Sequence, residues 1–196
     1  MKTARKVLLL VLCAALLVSA TVMGTVAYLT SQDAVTNTFT VGKVAITLDE
    51  LDVDNDTAAE NDRDKQNDYH LLPGSEHVKD PTVHVAANSE DSYIFVKVVN
   101  NIEAIEAEGD MGTIATQITK NGWTTLEGVT GVYYKTYTKR ETVVDMVVFE
   151  EFNIKGDITN NDLAAYQDKI IEVTAYAIQQ AGFADANAAW TAGKFA

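Results

Sequence analysis

The sequence predicts an all-β protein: an antiparallel β-sandwich of the jelly-roll kind with short helices, behind an N-terminal signal helix. Three observations predict it. Val, Ile, Thr, Tyr and Phe recur in short runs, several with strict alternation, each bounded by Gly, Asn, Pro or charged residues. The runs follow one another with no internal repeat and no Pro-rich linker, so residues 28–196 read as one domain. Residues 1–27 have the charged, apolar and small-residue regions of an export signal.

Lys2, Arg5 and Lys6 form the charged start, and Val7 to Val18 the apolar core. Val7 to Leu29 is also long enough for a membrane helix, which needs about 20 apolar residues. No basic stop-transfer cluster follows it, which favours cleavage. Two cut sites fit: after Ala20, with Val18 three positions before the bond, and after Ala27, with Thr25 in that place. Cys13 is the single cysteine, and Leu12 stands where a lipoprotein signal needs a small residue. The mature chain therefore has no thiol, disulfide or cysteine metal site. Removing the leader leaves 12 basic against 28 acidic residues, a net charge of −16. That balance argues against nucleic acid and anionic membranes as partners, and leaves membrane contact only through an uncleaved signal.

After the leader, Leu29, Val35, Phe39 and Val41 share one parity, while Val44, Ile46 and Leu48 take the other. A period of two puts alternate side chains on opposite faces, and a phase change at Gly42 marks a turn or bulge. Residues 49–68 hold nine acidic residues in twenty and read as an exposed loop. Tyr69 to Leu72 reads as a short strand, and Pro73-Gly74 as a turn. Val78 to Ala87 is extended, with Val83 and Val85 on one face. Tyr93 to Val99 is the most apolar strand, expected to be central and buried on both faces. Ile102 to Met111 allows a short helix. Ile114 to Ile118, Trp123 to Leu126, Gly131 to Thr138 and Thr142 to Phe149 read as strands, the last two as a hairpin across Lys139-Arg140-Glu141. Thr159 or Asn161 caps a short helix. Lys169 to Ile178 is a final strand, with Ile171, Val173, Ala175 and Ala177 on one face and Ile170, Tyr176 and Ile178 on the other. Asp185 opens an Ala-rich helix carrying Trp190.

No motif carries catalysis. His70, His77 and His84 are spaced by seven, which matches no zinc pattern. His-Glu-x-x-His is absent, and the reversed form at Glu76-His77 would need histidine where Pro73 stands. No Gly-x-Ser-x-Gly or phosphate-binding glycine loop occurs. Asp52, Asp54 and Asp56 invite calcium, but Thr57 stands where an EF-hand loop needs glycine and Arg63 where it needs glutamate. Tyr133, Tyr134 and Tyr137 could line a carbohydrate stripe, though cross-strand packing accounts for them. The expectation is a non-enzyme with no catalytic residue, no metal ligand and no cofactor, calcium at the acidic loop being the one exception considered.

The junction Gly24-Thr25-Val26-Ala27-Tyr28-Leu29-Thr30-Ser31 and the run Thr36-Asn37-Thr38-Phe39-Thr40-Val41-Gly42-Lys43-Val44 resemble the TasA and camelysin family of exported Gram-positive proteins. Leu71-Leu72-Pro73-Gly74 and Lys79-Asp80-Pro81-Thr82-Val83 are similar to it as well. The resemblance implies a SipW-type signal peptidase, cleavage between Ala27 and Tyr28, and a secreted biofilm-matrix or cell-surface fibre subunit. It also brings one alternative, a camelysin-type metallopeptidase; a monomeric surface adhesin is a third reading, independent of the resemblance. For a fibre, the strand freed at Tyr28 would add to a neighbouring copy or another matrix protein, with Leu29, Val35, Phe39 and Val41 filling its pockets; the equal alternative is that it folds back into its own sheet, since both use the same hydrogen bonds.

Overall fold

The computed structural model describes residues 3, 5–7, 11–16, 42–54 and 62–195. The chain forms two compact units, Met1–Thr40 and Val41–Ala196. In the first, the described residues are helical, with Val7, Val11, Leu12 and Leu16 exposed. Among the described residues no helix is long and apolar enough to cross a membrane. The expected cleavage residues Ala27 and Tyr28, and the strand residues Leu29, Val35, Phe39 and Val41, lie outside the described residues.

Among its described residues the second unit is mostly β: three antiparallel sheets with a few short helices, in a sandwich-like arrangement. Strands β1 (Ile46–Leu51), β2 (Arg63–Asp64), β4 (Thr82–Val85) and β9 (Val144–Val147) form one sheet in the order β2-β1-β4-β9. Strands β3 (Glu76–Val78), β6 (Glu106–Ala107) and β10 (Glu151–Ile154) form a second in the order β3-β10-β6. These two sheets share a register. Val78 lies opposite Glu151, and Thr82 opposite Val147. The offset is the same, so β3–β4 and β9–β10 are one long ladder interrupted at 79–81. Pro81 has no N–H to give, which breaks the ladder, but its carbonyl still accepts from Val148 N–H at 2.8 Å. The third sheet, of β5 (Ser92–Asn100), β7 (Thr124–Thr125), β8 (Val132–Tyr137) and β11 (Ile171–Gln179), runs β11-β5-β8-β7.

β5 is buried on both faces, as its apolar run predicts. Ile94 and Val96 point into the main core with Val83, Val85, Met146, Phe152 and Ile154. Tyr93 and Phe95 point the other way, where helix α3 (Ala186–Gly193) covers the sheet with Ala186, Ala189 and Trp190. β11 divides by parity as expected, with Ile171, Val173, Ala175 and Ala177 against the main core and Tyr176 and Ile178 against the α3 side. Asp185 caps α3 by accepting from Ala188 N–H at 2.8 Å. Thr159 caps α2 (Asn160–Leu163) in a capping box with Asp162.

Four expectations are corrected. Ile114 to Ile118 is not a strand but part of helix α1 (Ile114–Lys120), capped by Thr113. Its Ile114 and Ile118, one turn apart, are both buried. β8 and β9 are not a hairpin: β8 pairs with β5 and β7, and β9 with β4, so residues 138–143 cross between layers. Tyr69 to Leu72 forms no strand; the Pro73-Gly74 turn does form, with Gly74 at φ +74. Finally, residues 49–68 are not simply an exposed loop. Asp49 and Glu50 belong to β1, and Glu50 and Asp52 are buried.

Gln117 on α1 shows how a polar residue sits inside this core. At 2 % exposure its Nε2 donates to Gly112 O and Glu151 O, and its Oε1 accepts from Glu150 and Glu151 N–H. All four groups would otherwise be orphaned where α1 meets β10. Glu106 does the same at the start of α1, accepting from Ile114 N–H at 2.5 Å and Asn100 Nδ2 at 2.9 Å. Burial pushes its carboxyl above the usual range, although those two bonds oppose the shift.

Candidate functional site

Two features of the sandwich stand out: a long sheet edge that is unpaired among the described residues, and a partly exposed charge cluster. The edge belongs to β11. Asn101 N–H donates to Ile170 O, and Gln180 N–H to Asp91 O, so the even-numbered residues of β11 bond to β5. Ile171, Val173, Ala175, Ala177 and Gln179 consequently turn their N–H and C=O groups to the other side. Among the described residues no strand pairs there. The other edges are short or covered: β2, β6 and β7 have two residues each and β3 has three. On β9, Trp123 Nε1 donates to Val147 O at 2.8 Å. β11 is thus the one nine-residue edge among the described strands.

The cluster is built where β1, β2 and β4 meet. Arg63, brought beside β1 by its pairing opposite Leu51, contacts Asp49 through Nε and Asp80 Oδ2 through Nη1 at 2.8 Å. Its Nη2 also donates to Asp49 O and Asp80 O, each at 3.1 Å. Lys79 Nζ lies 2.5 Å from Glu50 Oε2. His84 stands between two carboxylates, with Nε2 at 2.9 Å from Asp49 and Nδ1 at 2.6 Å from Asp145. Two acceptors on one ring suit the doubly protonated imidazolium.

Burial pulls the His84 ring down, but the hydrogen bonds to Asp145 and Asp49 outweigh it and leave its pKa raised. Burial likewise pushes Asp49 up, and the bonds from Arg63 and His84 outweigh that and hold it low. Because the folded His84 pKa exceeds the unfolded one, its contribution is complete below about pH 6.5 and is lost as pH rises through the folded value. Thermal unfolding of wild type and His84→Gln should therefore differ by on the order of 1 kcal/mol at pH 5.5. The gap should close by pH 9; a gap independent of pH would rule the assignment out.

The three histidines do not converge. His84 is on β4 in the cluster, and His70 is exposed. His77 on β3 stacks on Phe152 at 4.9 Å and meets Ser75 Oγ at 2.8 Å. Burial, with His70 nearby, holds the His77 ring below its ordinary value. Among the described residues no group of three His, Cys, Asp or Glu side chains could hold a metal ion. Asp54 accepts from Asp68 N–H at 2.6 Å, and Asp56 lies outside the described residues. Of the tyrosine stripe, Tyr137 is core, while Tyr134 packs near Phe95 and Tyr93.

Sequence reasoning missed Arg63, Lys79, Asn67 and Asp145. A hint was present: Arg63 and Lys65 are the only basic residues within the acidic stretch. What the fold defines is a class, a mostly β sandwich-like protein in which β11 is the one long unpaired edge among the described strands. The chain matches no protein-family model, no curated protein and no solved structure.

Proposed function

We propose that this chain is an exported structural protein, a biofilm-matrix or cell-surface fibre subunit of the TasA and camelysin kind, with a jelly-roll sandwich. Subunits join when residues 28–41 of one copy add as a strand to the β11 edge of the next. The β11 edge is the observation that carries this reading: nine residues long, with outward backbone groups unpaired among the described residues. Its inward side chains support it too. Ala175 and Ala177 are small and only half-buried, which leaves room for Leu29, Val35, Phe39 and Val41 of an added strand. Each copy offers one strand and one edge, so addition is head-to-tail and need not close, which yields a filament. The links 86–91 and 138–143, which cross between layers instead of closing hairpins, favour the jelly-roll topology.

Protein starting at Tyr28 is expected to form filaments, and protein starting at Gly42 to stay small and folded. Light scattering after size exclusion and negative-stain microscopy read the difference. If both forms stay monomeric at high concentration, with or without calcium, strand addition is wrong and the adhesin reading stands in its place. Casein digestion by the same preparations, with and without a chelator, tests the peptidase alternative.

A further inference from the structure

The charge cluster contains a second arrangement, centred on Glu50. Glu50 is 5 % exposed and Lys79 is 8 % exposed. Lys79 Nζ is 2.5 Å from Glu50 Oε2, and Asn67 Nδ2 is 3.0 Å from Oε1 of the same carboxyl. One buried carboxyl therefore touches both an amine and a side-chain amide. The amide is held at each end: Nδ2 also donates to Leu51 O at 2.9 Å, and Oδ1 accepts from Val53 N–H at 2.7 Å. The Tyr69 ring lies 5.5 Å from Nζ and closes that side of the amine.

We propose that Lys79 and Asn67 join in an intramolecular isopeptide bond, with Glu50 as the catalytic carboxyl. Glu50 takes a proton from the Lys79 ammonium, and the neutral Nζ attacks Asn67 Cγ. The new Nζ–Cγ bond forms as the carbonyl π pair moves to Oδ1. Val53 N–H already points at that oxygen, so the developing negative charge meets a fixed donor. A proton passes from the attacking nitrogen to Nδ2 by way of Glu50. The Cγ–Nδ2 bond then breaks and ammonia leaves, taking the first proton from Glu50 as ammonium. Carboxylate is regenerated, and no oxidant or reductant is consumed. Holding both reactants on one carboxyl replaces a bimolecular encounter, and the burial of Glu50 and Lys79 strengthens the electrostatics at the attacking amine.

The consequence suits this chain. Cys13 is its only cysteine, so no disulfide can staple the fold. The isopeptide bond would instead tie the segment after β2 to the break at 79–81 in the long ladder.

The test is the intact mass of the full chain as expressed, with its N-terminus read by sequencing. We expect a mass lower than the sequence value by about 17 Da, one ammonia. After denaturation, trypsin should fail to cut after Lys79, and fragmentation should place the branch between Asn67 and Lys79. Cyclisation of Gln66 at a tryptic end loses the same mass, but it cannot occur in the intact chain. Glu50→Gln should restore the full mass and the cut after Lys79 with an unchanged circular dichroism spectrum. Should that variant not fold, the wild-type mass decides alone. A wild-type chain at full sequence mass, cut normally after Lys79, would overturn the proposal.

Discussion

Phe95→Ala is expected to destabilise the domain by about 3–5 kcal/mol, the range for deleting a buried aromatic. Phe95 is fully buried on the outer face of β5. Its ring lies 5.2 Å from Trp190 and 5.9 Å from Phe195, and Tyr176 meets the same two rings at 5.6 and 4.7 Å. This aromatic layer is what fastens α3 to the sheet. A helix of eight residues has little stability of its own and depends on such packing. Removing the ring should both lower Tm, by on the order of 10 °C, and release the helix. Trp190 near-ultraviolet circular dichroism would report the release directly. A variant that melts within about 1 kcal/mol of wild type, with its Trp190 signal intact, would show that the layer is not what holds α3.

Arg63→Gln is expected to cost about 2–3 kcal/mol, less than a fully buried pair because the side chain is 32 % exposed. The guanidinium makes contact with two carboxylates and two backbone carbonyls, from Asp49 and Asp80. Without it the Asp49 carboxylate keeps only His84, and the Asp80 carboxylate only the Leu51 N–H. Arg63→Lys should recover only part of the loss, since an ammonium is a point charge and cannot span both partners as the planar fork does. Urea unfolding of the three proteins gives the comparison. Equal midpoints for Arg63→Lys and wild type would mean that charge alone, not the fork, matters.

How much of this was legible in the sequence differs element by element. β5 and β11 could be read because alternation and an apolar run are local properties of the chain. So could α3, from Asp185 and the Ala-rich stretch, and the Pro73-Gly74 turn. β10 was missed: Glu151-Phe152-Asn153-Ile154 has only two apolar residues, and its pairing with β3 comes from the continued register of the long ladder. α1 was misread because Ile and Thr favour strands in general. Here the Thr113 cap and the burial of one helical face override that preference.

The acidic stretch holds the larger lesson. Composition counts charges, and by that count residues 49–68 should be solvated. Yet β1 carries Asp49 and Glu50 into contact with Arg63 and Lys79, residues 14 and 29 positions away. Pairing charges across such separations needs the strands already laid side by side, and no local pattern encodes it.

By itself, then, the sequence determined the β class, the doubly buried central strand, the absence of cysteine after residue 13 and the signal-like start. Each follows from residue type and spacing alone. Only the tertiary structure decided which strands pair, which edge is left unpaired among the described strands, and which amine and amide share one carboxyl. Those are contacts between distant residues, and they exist only once the long ladder and the facing sheet have closed over a common core.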